Sequence, residues 1–341
     1  MDTTRFIDDL TEIPAAFERL AAALEGAAGS AADPTLGDLA RARTLVATPG
    51  ARVLVLGMGS STYAASVAAR RARMRGHSVV VELASTVELP AAASDLVVVA
   101  VSATGRSAET LAAIEPYRGT GRLVAVTNDA SSPLADASDL VVPLVAGAEV
   151  SGVSCRTFRH TFLVLEALFG LAAPEALAAT ARAAARSSAA LLASAPEWLD
   201  QATELLLGPH GTWLLAPVER LSSAQQGALM MREVPRRPAY ASETGDWSHV
   251  DVYLSKTLDY RALLFAGSRW DDQAAEWLRD RAATLVTVGP TPLAASAALA
   301  LRYRGDDDLA VAPLVETLVA ELLAAHWFAA DPTFAWAPSL T

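Results

Sequence analysis

The sequence is short of the features that mark exported or membrane-bound proteins. It contains a single cysteine, Cys155, in 341 residues, so no disulfide can form within the chain, as is typical of a reducing compartment. The first ten residues, MDTTRFIDDL, are acidic and lack the basic-then-apolar pattern of a secretory signal. No uninterrupted apolar run reaches the length of a membrane-spanning helix. These absences predict a cytoplasmic protein without a membrane partner.

Positive charge is also scarce. The net charge is -11 at pH 7 with histidine neutral, so the chain has no basic face of the kind that holds nucleic acid. Most of the histidines have no spacing typical of metal ligands. We therefore expect no nucleic-acid partner, no metal and no cofactor. The histidines outside the motifs described below are His77, His160, His210 and His326.

Apolar β-branched runs alternate with helical stretches, which is typical of α/β proteins with doubly wound parallel sheets. The plan of strand, turn, helix and further strands occurs twice, which indicates an internal duplication. We predict a helical lead-in at 1–48, a first domain at 49–173, a helical connector at 174–208 broken at Pro196, a second domain at 209–330 and a tail at 331–341. The predicted strands are 52–56, 78–83, 95–101, 123–126 and 140–144, then 212–216, 262–266, 285–288 and 299–303.

Two loops rich in hydroxyl groups follow neighbouring predicted strands. Backbone N–H groups are free at the start of a helix, hydroxyls add donors, and the helix dipole favours negative charge. In a parallel sheet such loops lie at the carboxyl ends of the strands, where ligands bind. The pattern predicts a phosphate site, with plain helix capping as the alternative. The loops are Gly57-Met58-Gly59-Ser60-Ser61-Thr62 and Ser102-Ala103-Thr104-Gly105-Arg106-Ser107, and the predicted phosphate contacts are Ser61, Ser102, Thr104 and Ser107.

In these loops the chain resembles the double sugar-isomerase-domain (SIS) phosphosugar isomerases and deaminases. It is similar to the isomerase half of the glutamine:fructose-6-phosphate amidotransferases, without their glutaminase domain. The family motif Gly-Thr-Ser appears as Gly59-Ser60-Ser61, and the phosphate loop Ser-Gln-Ser-Gly-Glu-Thr-Ala-Asp-Thr appears as residues 102–110. The resemblance, which covers nearly everything from residue 51 onward, implies two flavodoxin-like repeats, a homodimer and a bound sugar phosphate.

The resemblance also implies which residues contact the substrate. Ala103 and Arg106 stand where the family loop has Gln and Glu. Arg106 is expected to bind the phosphate, and the alternative is an exposed ion pair with Glu109. The family segment Val-Ala-Ser-Thr-Lys-Ala-Phe matches residues 152–158, where Val153 and Ser154 would line the sugar. The implied substrate-binding set is Ser60, Ser61, Ser102, Ala103, Thr104, Arg106, Ser107, Val153 and Ser154.

Two catalytic residues are implied in the second repeat. The family sequence Gly-Ala-Leu-Lys-Leu-Lys-Glu matches residues 227–233, which places Glu233 on the base that moves a proton between C1 and C2. The family's ring-opening histidine, sixteen residues later and acting on a neighbouring subunit, matches His249. A surface salt bridge at Glu233 and a loop histidine paired with Asp246 or Asp251 are the alternatives.

The function expected is aldose–ketose isomerisation or deamination of a phosphorylated sugar or amino sugar, such as fructose 6-phosphate or glucosamine 6-phosphate. Met230 and Pro338 stand where the amidotransferases have lysines that contact the sugar, which makes amidotransferase chemistry improbable. A phosphosugar sensor with weak or absent catalysis is the alternative. A dinucleotide-binding protein is disfavoured, because Thr62 replaces the third glycine of that fingerprint.

Overall fold

Ten parallel strands form two five-stranded sheets in the computed structural model, which describes residues 3–29 and 34–330. The strand order is β2-β1-β3-β4-β5 in the first sheet and, read from its opposite edge, β7-β6-β8-β9-β10 in the second. Both are the flavodoxin-like 2-1-3-4-5 order, so the predicted fold class and its duplication are confirmed. The strands are β1 Arg52–Gly57, β2 Ser78–Leu83, β3 Leu96–Val101, β4 Leu123–Thr127, β5 Leu140–Pro143, β6 Thr212–Ala216, β7 Ala239–Glu243, β8 Arg261–Phe265, β9 Thr284–Val288 and β10 Leu299–Leu301.

Helices precede, flank and connect the two sheets. The helical lead-in comprises α1, α2 and α3, and a long helix, α8, connects the two repeats. The helices are α1 Thr3–Thr11, α2 Ile13–Gly29, α3 Leu39–Val46, α4 Ser60–Met74, α5 Ala108–Ile114, α6 Pro133–Ala137, α7 Arg156–Leu168, α8 Pro174–Leu206, α9 Leu221–Glu233, α10 Thr244–Trp247, α11 Asp271–Asp280, α12 Ala312–Val315 and α13 Thr317–Ala330.

The central strands of the first sheet were predictable because they are buried. Every residue of β3 and β4 is buried, because helices cover both faces of a parallel sheet, so these strands are continuous apolar runs. Pro143 lies in β5, at the edge of the first sheet, where a missing N–H costs no ladder hydrogen bond.

The chain divides into two compact units. One runs from Ala15 to Ala185 and contains the first sheet. The other combines the N-terminal segment up to Pro14 with the chain from Arg186 onward, and it contains the second sheet. The lead-in therefore contributes α1 to the second unit, where α1 packs against α13.

The structure corrects three details of the sequence interpretation. A strand, β7, lies in the segment between α9 and β8 that was expected to be irregular. The connector does not break at Pro196, because α8 continues through it at the cost of one backbone hydrogen bond. Ser60 and Ser61 lie in the first turn of α4 rather than in the preceding loop. The predicted tail at 331–341 lies outside the described residues.

One helical stretch, Ala312–Ala330, is long and apolar enough to cross a membrane by length and composition. In the structure, 89% of its most apolar window is buried inside the fold. This stretch is therefore a core helix of the second unit.

Candidate functional site

The turn between β1 and α4 leaves the start of a helix without a side-chain cap. Gly59 precedes α4 with φ 51°, and no side chain accepts a hydrogen bond from the first turn. A Cβ at Gly57 would lie 3.2 Å from the Ser61 Cβ, so the glycine allows the strand to pass close to the helix. Ser60 is buried and Ser61 is half-buried. This turn can therefore direct backbone N–H groups and hydroxyls at a bound anion.

The loop between β3 and α5 is fixed by its own hydroxyl groups. The Ser102 Oγ accepts a hydrogen bond from the Gly105 N–H at 3.2 Å, and the Thr104 Oγ1 accepts one from the Arg106 N–H at 3.3 Å. Gly105 has φ 63°, and a Cβ there would lie 2.0 Å from the Ser132 Oγ. The loop consequently requires glycine at position 105 for both conformation and space.

Ser107 caps α5, as the alternative interpretation of these hydroxyls expected. Its Oγ accepts a hydrogen bond from the Thr110 N–H at 3.3 Å and donates one to Glu109 Oε2 at 2.9 Å. Hydrogen bonds from its own backbone N–H and from Ser107 lower the pKa of Glu109. An anion that accepts the Ser107 hydroxyl proton must therefore displace an ionised carboxylate from it.

The two loops lie next to each other at the carboxyl ends of the strands of the first sheet. β1 pairs directly with β3 in parallel, with Leu56 opposite Ala100. The segments that follow these two strands therefore begin side by side at the same end of the sheet. The four predicted phosphate contacts, Ser61, Ser102, Thr104 and Ser107, belong to these two segments.

Arg106 forms an ion pair with a partner that the sequence did not indicate. Its Nη2 lies 3.0 Å from Asp129 Oδ2, in the turn after β4, whereas Glu109 is held by Ser107. The expected alternative, a pair with Glu109, is therefore wrong about the partner. Hydrogen bonds from Ser131 and from Arg106 lower the pKa of Asp129. Arg106 is exposed and Asp129 is half-buried, so the pair is partly screened by solvent and can open for a ligand.

The segment before α7, which contains Val153 and Ser154, is held by a carboxylate that the sequence interpretation missed. Glu149 Oε1 accepts hydrogen bonds from the backbone N–H groups of Cys155 at 2.8 Å and Arg156 at 2.6 Å. Its Oε2 accepts one from the Thr157 hydroxyl at 2.7 Å. Burial raises the pKa of Glu149, although these hydrogen bonds oppose the shift. An acidic residue shortly before a helix start was the only sequence signal for this role.

The carboxylate of Glu149 distinguishes the start of α7 from the starts of α4 and α5. A carboxylate already serves the first turn of α7. The N-cap of α5, by contrast, is the hydroxyl of Ser107, and the N-cap of α4 is Gly59, which has no side chain. Val153 is buried and Ser154 is half-buried beside this capped turn. Cys155 is buried, as expected of a small core residue.

Glu233 and His249 lie toward opposite ends of the second sheet. Glu233 is the last residue of α9, which runs back from the carboxyl end of β6 to the start of β7. His249 follows α10, beyond the end of β7, and its N–H donates to the Asp246 carbonyl oxygen at 2.8 Å. Both side chains are exposed. Since β7 alone spans roughly 13 Å, the two residues of one chain do not form a single catalytic pair.

A cavity of about 470 Å³ lies beside the phosphate loop in the first unit. The irregular segment between β2 and β3 and the helix α5 enclose it, and the Tyr117 hydroxyl donates to the Pro90 carbonyl oxygen at 2.6 Å within its wall. Glu109 lines the cavity and also accepts the Ser107 hydroxyl, so one carboxylate borders both the cavity and the start of α5. No cluster of metal-binding side chains occurs among the described residues.

Known proteins with similar sequences and folds support this description. A family model described as the SIS domain matches residues 48–171. A glutamine–fructose-6-phosphate aminotransferase (isomerizing) from Aeropyrum pernix is 31% identical over 254 residues, which cover 70% of this chain and 40% of that protein. The chain thus spans less than half the length of this curated relative.

Two solved structures show the same fold across nearly the whole chain. The C-terminal domain of glucosamine-fructose-6-phosphate aminotransferase from Francisella tularensis has a TM-score of 0.75 at 19% identity, covering 95% of this chain and 94% of that one. Glucosamine-6-phosphate deaminase from Thermotoga maritima has a TM-score of 0.64 at 19% identity, covering 96% and 93%. The chain is therefore an SIS-domain protein, and its two sheets fit two repeats of that domain.

Proposed function

We propose that this protein binds a phosphorylated sugar or amino sugar and isomerises or deaminates it by general acid–base proton transfer. The observation that carries the proposal is the pair of adjacent helix starts in the first unit, which are rich in serine and threonine and have Gly59 and Ser107, not a carboxylate, at the N-cap. The phosphate would lie against Ser61, Ser102, Thr104 and Ser107, with Ser60, Ala103 and Arg106 around it. Val153 and Ser154 would line the sugar.

The substrate class follows from what the similar proteins are named for. The names of the relative and the two solved structures above refer to fructose 6-phosphate or glucosamine 6-phosphate. We propose the same class of substrate here, in the cytoplasm and without a nucleic-acid or membrane partner.

Glu233 is proposed as the base that carries the proton between C1 and C2, and His249 as the group that protonates the ring oxygen. Because these residues lie toward opposite ends of the second sheet, His249 would act in a site completed by a second copy of the chain. This supports a homodimer, with each site containing Glu233 of one copy and His249 of the other.

The absence of lysine from two positions argues against an amidotransferase reaction. Met230 and Pro338 occupy the two positions at which the resemblance expects lysine, and Lys256 is the sole lysine in the sequence. Lys256 lies in the 3-10 turn Asp251–Lys256, with its Nζ 5.7 Å from the Tyr253 ring centre. Enolisation by Glu233 needs no imine, so isomerisation or deamination remains open to this chain.

A phosphosugar sensor is the second candidate function. It is favoured by the exposure of Glu233 and His249, because a general base works best when partial burial raises its pKa toward neutrality. A sensor would bind the same sugar phosphate through the first unit and give no turnover with any phosphosugar.

The phosphate site is tested by a double variant, Ser102→Ala with Thr104→Val. Each lost hydrogen bond to a charged group costs about 1.5–3 kcal/mol, so glucosamine 6-phosphate should bind at least about 10-fold more weakly in calorimetry. Thr48→Val is the matched control, because its hydroxyl is exposed and bonds only to the Thr44 carbonyl oxygen. Equal affinity in the double variant and the control would show that the phosphate lies elsewhere.

A further inference from the structure

A buried charged cluster lies in the second unit, at the place that corresponds to the phosphate site of the first. Arg220 follows β6, and Asp271 follows β8, which pairs with β6 in parallel. By strand order β6 and β8 correspond to β1 and β3, so these residues match the two hydroxyl-rich loops. The exposed fractions are 4% for Arg220, 6% for Asp271, 1% for Glu316 and 8% for Tyr303.

Asp271 places a carboxylate where the first unit has hydroxyl groups. Its Oδ2 accepts hydrogen bonds from the N–H groups of Gly267 at 2.6 Å and Ser268 at 3.2 Å. Successive backbone N–H groups directed at one oxygen are the arrangement that binds phosphate and sulfate in other proteins. Burial raises the pKa of Asp271 to about 6, so it is mostly ionised at pH 7.

Arg220 supplies a positive charge to the same turn. A Cβ at Gly267 would lie 3.2 Å from Arg220 Nη2 and 3.3 Å from Nη1, so the guanidinium lies directly against that glycine. Its Nη2 donates to the Ala266 carbonyl oxygen, and its Nε lies 3.1 Å from Glu316 Oε1. The guanidinium and the backbone donors that hold Asp271 thus lie around the same glycine.

Glu316 brings a second carboxylate to the start of α9, which corresponds to α4 of the first unit. It pairs with Arg220, the residue that precedes α9. Both places that match the hydroxyl-rich loops of the first unit thus contain a buried carboxylate.

Buried oxygen atoms in this cluster lack hydrogen-bond partners among the described residues. Asp271 Oδ1 and the Tyr303 hydroxyl have no hydrogen-bond partner within the described chain. The charges of Glu316 and Arg220 both act on Tyr303, so its hydroxyl lies in the same cluster. Buried polar atoms without partners are rare in native proteins and mark places where a further polar group fits.

We propose that the second unit contains an oxyanion-binding cradle, formed by the Gly267 and Ser268 N–H groups and Arg220, which the Asp271 carboxylate occupies in place of an external anion. The intact protein then has one open phosphate site per chain. Removing the Asp271 side chain opens a second site, for a small oxyanion such as formate or sulfate.

The test compares Asp271→Ala with Asp272→Ala. Asp272 is exposed in the same first turn of α11, so its loss removes a carboxylate without opening the cradle. Melting temperatures are measured in sodium formate and in sodium sulfate against sodium chloride of equal ionic strength. At about ten times Kd, a bound anion should raise the melting temperature of Asp271→Ala by roughly 2–4 °C more than that of Asp272→Ala.

Anion binding at the first-unit site is excluded as the cause by repeating the comparison in the Ser102→Ala, Thr104→Val background. The difference in melting temperature between the Asp271→Ala and Asp272→Ala proteins should persist there. A crystal of Asp271→Ala grown in sulfate should show the anion within hydrogen-bond distance of the Gly267 N–H and the Arg220 guanidinium. Should Asp271→Ala fail to fold in chloride, the proposal predicts that formate or sulfate restores its folding. Equal responses of the two variants, or an Asp271→Ala protein that stays unfolded in both anions, would overturn the proposal.

Discussion

Individual residues of the phosphate loop were predictable from the sequence, but their partners were not. Ser102, Thr104 and Ser107 lie where the hydroxyl pattern placed them, because the loop is local and follows a strand that was easily recognised. Arg106 contacts Asp129, and Glu149 reaches the start of α7, through contacts that depend on tertiary structure. Single-residue spacing carries no information about such partners.

Glu109 is expected to weaken phosphate binding. It holds the Ser107 hydroxyl proton and places a negative charge in the first turn of α5. Glu109→Ala should therefore tighten binding of glucosamine 6-phosphate by roughly threefold to tenfold in calorimetry, from screened charge–charge interaction alone. Glu115→Ala, which removes an exposed carboxylate paired with Arg118 at the other end of α5, should leave Kd unchanged. Weaker or unaltered binding in Glu109→Ala would contradict the proposed position of the phosphate.

His160 is expected to make the fold sensitive to acid. Burial, opposed by a hydrogen bond to the Leu144 carbonyl oxygen and aided by Arg19, Arg156 and Arg159, lowers its pKa from 6.5 to about 4. The unfolded chain therefore takes up the proton first. Stability from this group is complete above pH 6.5 and decreases as the pH falls toward 4, by about 3 kcal/mol.

His160→Asn keeps a donor near the Leu144 carbonyl oxygen and cannot be protonated in this range. Between pH 7 and pH 4 it should lose about 3 kcal/mol less unfolding free energy than the wild type, measured by urea unfolding. His210→Asn, at an exposed position, should follow the wild-type pH profile. The same acid loss in all three proteins would show that His160 is not the responsible group.

At the level of elements, the buried strands were predictable and the edge strand β7 was not. Its sequence, Ala239 to Glu243, mixes small and polar residues, and Tyr240 is exposed and stacks on Trp213 with ring centres 5.0 Å apart. Such a strand owes its conformation to pairing with β6 rather than to its own pattern. Pro196 led to the opposite error, a predicted break where the helix α8 is continuous. A helix with buried residues along its length tolerates one missing hydrogen bond.

The phosphate loop depends on Gly105 more than on an ordinary turn glycine. Gly105→Ala forces a left-handed conformation on alanine and places its Cβ 2.0 Å from the Ser132 Oγ. Gly119→Ala is matched, because Gly119 has φ +69° and nothing within 4 Å of the added Cβ. We expect Gly119→Ala to cost about 1 kcal/mol and Gly105→Ala about 2–4 kcal/mol in urea unfolding, with phosphosugar affinity lost only in Gly105→Ala. Identical losses in the two variants would mean that Ser132 does not constrain the loop.

At the level of the whole molecule, duplication has produced two units with the same strand order and different helix starts. The first has hydroxyl groups at the ends of β1 and β3, whereas the second has Asp271, Glu316 and Arg220 at the matching ends of β6 and β8. The duplication was evident from the repeated pattern of strands. This division of roles depends on side chains that approach from distant parts of the chain, so the pattern could not predict it.

The central claim is that Glu233 moves a proton of a bound sugar phosphate, and solvent deuterium incorporation at C2 tests it most directly. The wild type, Glu233→Gln and the exposed control Glu204→Gln are incubated in D₂O with glucosamine 6-phosphate and with aldose 6-phosphates, and exchange is followed by proton NMR. The wild type and Glu204→Gln should exchange at the same rate. Glu233→Gln should exchange about 10²–10⁴-fold more slowly with nearly unchanged affinity, since the phosphate loop belongs to the other unit. Equal exchange by the wild type and Glu233→Gln, or no exchange of any substrate by the wild type, would contradict the catalytic account and favour the sensor.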